Sequence, residues 1–404
     1  MKFRALTFSF LLLYLAAAFL TLRDNSFHND DIEMIQKGAR IFERPSSILE
    51  PDIAGRNHIL LYLVMGGIHQ GWGMTPRPFY LALLIFHAAV FFLLMSLGRR
   101  LGLDETGAGI AGLFFLVLGL HFQTVGWIAE MGRVLMNALL LASFIFFDRF
   151  RKTGETKPFV FCCLLWFLAF HASEEAMVLP ALFGAYDFFI FKKNAPAAAP
   201  RKLLLSYVPL VLLGLGLLGY QFSLYRNVSP VYWSAEFQPL IKLKGLAWTL
   251  ANLVIPRKEI LEGGFPSGAG ARLVLPLVFF LPALPAFVGS CRRFLENVSF
   301  TPLLIFSLLW FLIAFLPFAL REVTEWRAYP QPRYLYLALL GVSFFIGKAG
   351  EILWDAARSF KPGAARFLAR GGLALAGLYF YALNLRTFCF MAEKLDVTSR
   401  FVSL

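Results

Sequence analysis

Three carboxylates fall within four residues in "FHNDDIEMIQ" (27–36), directly after the first long apolar run of a chain in which only 16% of residues are charged. A carboxylate at the edge of a membrane can take a proton from a hydroxyl, which is what general-base chemistry asks of Asp30 or Asp31. Neighbouring helical residues point about 100° apart, so the two do different jobs. The same acids also suit a helix start, with Asp30 as the cap, Glu33 three residues on, and negative charge in the first turn against the helix dipole. Nucleophilic catalysis has less support: Ser173 lies beside His171 and Glu174, with no glycine-framed elbow around it. The glycines of "LLGLGLLG" (212–219) lie in an uncharged run, where small residues serve helix packing rather than phosphate binding.

These acids must be positioned by membrane-spanning helices. The 404 residues are 58% hydrophobic with 45 Phe, a polytopic membrane composition rather than a soluble one. The net charge of +13 then reflects loops held on one side of a membrane, not nucleic acid. Cys162 and Cys163 sit in an apolar run, and the four cysteines form neither a disulfide framework nor a zinc motif. Eleven candidate spans follow, at about 5–22, 78–97, 107–124, 134–147, 158–171, 176–191, 203–225, 273–290, 299–320, 334–347 and 371–390. The first is read as a retained span rather than a cleaved signal. The five inner loops hold 17 Lys/Arg in 58 residues and the five outer loops 16 in 132, which sets the N-terminus inside and the C-terminal tail outside. The chain reads as one integral membrane domain over 1–404, with outer loops 23–77 and 226–272 large enough to build a cavity. Within loop 23–77, Ile32, Ile35, Ala39 and Phe42 recur at helical spacing, an amphipathic helix on the bilayer, and 58–69 forms a second. Residues 245–256 read as an interfacial helix.

The order of these pieces resembles the GT-C superfamily of polyprenyl-phosphate-sugar-dependent membrane glycosyltransferases, in particular the protein O-mannosyltransferase-like group. The pieces are "NDD" (29–31), "GRNHILLYLVMGGIHQGWGMTPRPFYLALLIFHAAVFFLLMSLGRRLG" (55–102), "LHFQTVGWIAEMGRVLMNALLLASFIFFDRF" (120–150), "AFHASEEAMVLPALFGAYDFF" (169–189), and "LWFLIAFLPF" with "PRYLYL" (309–337). The resemblance implies an all-α fold and a sugar donor on a polyprenyl phosphate in the outer leaflet of a bacterial inner membrane. A glycan, lipid or protein would be the acceptor. It puts the base at Asp30, with Asp31 holding or orienting the acceptor. Cations are then needed at the departing phosphate, and a guanidinium is suited to it. Arg333 is the first candidate and Arg133 the second, although an arginine at a span end also serves as an interface anchor. Arg56, His121, Glu174 and Tyr334 are further candidates for substrate binding.

The chain also departs from that pattern. Glu174 stands where the family commonly has Lys, and "HF" (121–122) replaces a His-Pro pair, which opens the identity of donor and acceptor. Only 14 residues follow the last predicted span, so the tetratricopeptide repeats of that group are expected to be missing. An acid pair can also hold Mg²⁺ or Mn²⁺, though two adjacent Asp residues alone do not make a site. Two alternatives stay open. One is an O-antigen ligase or polymerase type of enzyme, and the other a transporter or flippase for lipid-linked sugars whose path Glu174, Glu175 and Asp187 would line.

Overall fold

The computed structural model describes residues 2–51, 57–191, 207–225, 302–319, 332–359 and 363–402. Hydrocarbon supplies no hydrogen-bond partners, so long apolar runs must satisfy their own backbone, and they do so as helices. Among the described residues six are long and apolar enough to cross a membrane: α1 (Lys2–Leu22), α4 (Pro76–Arg100), α7 (Met131–Thr153) with the turn before it, α10 (Tyr207–Tyr225), α12 (Tyr336–Ser359) and α13 (Ala364–Val402). A seventh span is broken, with α5 (Glu105–Val117) bent 48° against the short turn and α6 (Phe122–Gly126) that follow. Two shorter apolar helices are α8 (Thr156–Phe170) and α11 (Pro302–Ala319). The predicted span at 176–191 resolves into a 3-10 turn (Glu174–Val178), α9 (Leu179–Tyr186) and a π-turn (Asp187–Phe191). The predicted span 273–290, loop 226–272 and the interfacial helix at 245–256 lie outside the described residues. This is an all-α polytopic membrane protein, and its lipid-facing sides show in exposed Leu12, Ile85, Phe92, Leu164, Leu212 and Leu312.

The break after Leu118 has a local cause. Gly119 donates its N–H to Asn384 Oδ1 of α13 at 3.1 Å, and a Cβ at Gly119 would stand 2.5 Å from Thr387 of the same helix. A passing helix therefore supplies the bond that the α5 ladder forgoes, and only glycine allows the approach. The core runs along α4, α5, α7 and α12 and takes in α9 and α11: Phe144 of α7 lies 5.4 Å from Trp310 of α11, and Phe147 of α7 stacks on Phe183 of α9 at 3.9 Å.

Between α1 and α4 the chain forms a helical hairpin, α2 (Asn29–Glu43) packed on α3 (Ile59–Trp72). The hairpin closes at Gly38 and Gly66, where a Cβ on Gly38 would sit 2.4 Å from the Tyr62 carbonyl. The buried stripe of α2 is Asp31, Ile35, Gly38 and Ile41, not the expected Ile32, Ile35, Ala39 and Phe42; Phe42 is exposed. The glycine crossing and the burial of Asp31 rotate the helix by about one residue relative to a purely apolar reading. The cap is His28 rather than Asp30, and its N–H donates to Asp31 Oδ2 at 2.9 Å. The acid that closes the box is thus Asp31, at the third helical position, and not Glu33.

Candidate active site

Two ends of the bundle collect charge, and the acid pair belongs to the end formed by the N-terminus of α2, the turn before α7, the turn before α9 and the start of α12. Asp31 is fully buried. Its Oδ1 accepts the Ala129 N–H at 2.6 Å and its Oδ2 that of His28, which clamps α2 onto the 127–130 segment. Burial pushes its carboxyl up to about 7, and the neighbouring charge of Asp30 pushes the same way against the two N–H donors. Asp30 is exposed, and among the described residues it makes no hydrogen bond or ion pair. The pair is therefore split: one carboxylate is built into the frame and the other is left open. With both Asp31 oxygens engaged by backbone, the two acids do not converge on one cation, and among the described residues no group of three or more His, Cys, Asp or Glu gathers as a metal site.

The segment clamped by Asp31 carries Trp127 and Glu130. Glu130 forms ion pairs with Arg133, one turn on, and with Arg333 Nη1 at 3.3 Å. Arg133 also forks onto Glu175 through Nε and Nη2, at 3.2 and 2.8 Å. The Arg333 guanidinium lies 4.7 Å from the Trp127 ring and 5.1 Å from that of Tyr334, while Arg133 covers Tyr334 at 4.9 Å. Nearby, Glu174 meets His58 Nε2 at 2.6 Å, and Asn57 donates to the Tyr220 hydroxyl at 2.9 Å. His171 is buried beside Tyr220, their rings 6.2 Å apart.

Asp30, Asp31, Arg133, Arg333, Tyr334 and Glu174 thus come to one end of the molecule. His121 does not. The break in α5–α6 folds it inward, fully buried among Phe115, His87 and Tyr336, with its ring 4.6 Å from that of Tyr336. Its place at the end of an apolar run suggested the membrane surface because the run was read as a straight helix. Arg56 lies outside the described residues. The three acids imagined along a transport path are also dispersed. Glu174 and Glu175 are paired at the Asp30 end, and Asp187 is at the other with Arg151, where it is 5% exposed and does not reach toward solvent. Glu130, Trp127 and His58 are the residues that sequence reasoning passed over. For Glu130 a signal existed, an acid three residues before Arg133 at the mouth of a span, the spacing of a same-face ion pair.

A helical membrane bundle with a hairpin between its first two spans, Asp31 of the hairpin packed against the next inter-span turn, is the fold of this chain. The solved structures that share it include ArnT from Cupriavidus metallidurans in the apo state, with a TM-score of 0.53 at 14% identity over 98% of this chain and 78% of that one. The same enzyme bound to undecaprenyl phosphate gives 0.52 at 13% identity, covering 97% and 78%. By sequence the chain is 26% identical over 214 residues to the Protein O-mannosyl-transferase TMTC2 of Mus musculus and 24% identical over 211 residues to that of Homo sapiens. Each match takes in 48% of this chain and 24% of the relative, so it spans about a quarter of those relatives' length. No protein-family model matches the chain.

Proposed function

We propose that the chain transfers a sugar from a polyprenyl-phosphate donor to an acceptor hydroxyl on the outer side of the membrane. In this reading Asp30 takes the hydroxyl proton as the acceptor oxygen attacks the anomeric carbon. The bond from that carbon to the phosphate oxygen breaks, and the phosphate leaves with the electron pair toward Arg333, inverting the sugar. Asp31 acts as a positioning residue: by holding the first turn of α2 against Ala129 it aims Asp30. The observation that carries this is the continuity of the frame, since Asp31 bonds to Ala129 and the next residue, Glu130, holds Arg333, so the open acid and the cation are fixed to one short segment. Of the two arginines, Arg333 is favoured at the phosphate because Arg133 is already bound by two carboxylates. The fold shared with an ArnT that binds undecaprenyl phosphate supports the donor class, and the sequence likeness to an O-mannosyl-transferase supports the reaction.

The test is transfer from a polyprenyl-phosphate monosaccharide by the purified full chain. Asp30→Asn keeps the shape and removes the base, so the rate should fall about 10²- to 10⁴-fold while the melting temperature holds. Retained transfer in that variant removes the assignment, and lipid translocation without transfer would favour a flippase.

A further inference from the structure

Glu130 moves no proton and meets no reacting atom in the chemistry above, yet it joins the two arginines. We propose that it is the resting counter-ion of Arg333, a carboxylate that the donor's phosphate displaces and that thereby sets the affinity for lipid phosphate. This rests on the reading of Arg333 given under the proposed function.

The geometry separates the two halves of the Glu130 contact. Toward Arg133 the pair is close and within one turn, and Arg133 is fixed from its far side by the Glu175 fork. Toward Arg333 the contact through Nη1 is 3.3 Å, while Nη2 donates to the Tyr334 hydroxyl at 3.3 Å. If Arg333 turned to another anion, Glu130 would still be paired with Arg133. The exchange therefore strands no buried carboxylate, the outcome that makes breaking most buried ion pairs costly. A phosphate presents paired oxygens to a guanidinium as a carboxylate does, so the two compete for the same N–H donors. The rings of Trp127 and Tyr334 hold the guanidinium by its faces, a contact indifferent to which anion meets its edge. With no anion at all, Arg333 and Arg133 would confront each other across Tyr334 as like charges, and Glu130 relieves that in the ligand-free protein.

A counter-ion and a scaffold differ in the sign of their effect. Undecaprenyl phosphate is titrated into the purified full chain in detergent, followed by tryptophan fluorescence and by thermal melting. Glu130→Gln should bind about tenfold tighter, the effect of removing one competing charge at partly screened distance. Its ligand-free melting temperature should drop, and its ligand-induced rise should exceed that of the wild type. Arg333→Gln should weaken binding and cancel the gain in the double variant. If Glu130→Gln fails to fold, Glu130→Asp is the test, since a shorter side chain loosens the Arg333 contact and should also tighten binding. Unchanged or weaker binding in the Glu130 variants, with Arg333→Gln still impaired, overturns this proposal and leaves the phosphate site standing. An Arg333→Gln variant that binds as the wild type does overturns both.

Discussion

The two charged ends of the bundle are made of the same residue types and differ in how completely they are closed. At the end opposite the acid pair, Arg151 forks onto Asp187 at 3.0 and 2.5 Å, and the Tyr207 hydroxyl donates to the same carboxylate at 2.6 Å. Beside it, fully buried Asp148 accepts from Arg100, Lys152 and the Tyr186 hydroxyl, the last at 2.6 Å. Both of these buried acids are met by a cation and a phenol, as a buried charge requires if its desolvation is to be offset. At the Asp30 end acids and arginines also pair, but the Asp30 carboxylate is exposed without a partner among the described residues, and Arg333 meets Glu130 at 3.3 Å. Closed networks tie helices together, and an open one has charge left over for a ligand.

The largest effect that would break this contrast comes from the closed end. Arg151→Met leaves Asp187 buried without its cation and should cost about 3–5 kcal/mol of stability, read as a fall in melting temperature. Transfer per folded molecule should stay at the wild-type level. Adding Asp187→Leu removes the stranded carboxylate and should restore most of the loss. If Arg151→Met kept its stability and lost transfer, the two ends could not be divided into structural and functional ones.

A middle-sized effect sharpens the comparison from the Asp30 side. Gly38→Ala puts a methyl where the Tyr62 carbonyl and the Gly66 backbone already stand, 2.4 and 2.6 Å away, so the α2–α3 hairpin must open. Overpacking of that kind costs about 1–3 kcal/mol. Because α2 carries Asp30, transfer should fall more than stability does. Gly71→Ala, on the same hairpin with nothing within 4 Å, is the control and should change neither.

Which parts of this were legible before folding follows from what kind of signal each leaves. Helix-length apolar runs, basic loops and an acid pair after the first span are local patterns, so the fold class and the acid pair as candidates could be read directly, while Arg133 and Arg333 entered as candidates through the family resemblance. Their division of labour could not. Asp30 and Asp31 are adjacent in sequence, and only the approach of Ala129 from 98 residues away decides which is buried. His121 was misplaced for a similar reason, because the break that turns it inward depends on Asn384 and Thr387 of the last helix. Asp187 could be read as lining a transport path until Arg151 and Tyr207, from two other helices, enclosed it. The buried stripe of α2 followed a backbone crossing at Gly38, a residue that carries no hydropathy signal at all.

The smallest effect concerns the acid that is buried for position. Asp31 has a carboxyl pushed up to about 7 in the folded chain, against about 3.9 in an unfolded one. Between those values the folded state keeps a proton that the unfolded state has lost, so stability should decline as pH rises from about 4 to about 7 and then level off. This is the reverse of the usual salt-bridged carboxylate, whose stabilising effect is lost on acidification. Asp31→Asn carries no titrating group and should flatten that part of the profile, read as melting temperature against pH in one detergent. Asn keeps one acceptor oxygen where Asp has two, so the variant should also loosen the His28 or the Ala129 contact and lower transfer modestly at every pH. If the wild-type profile is already flat over this range, the two N–H donors hold Asp31 ionised against burial, and the clamp on α2 is then a charged one throughout.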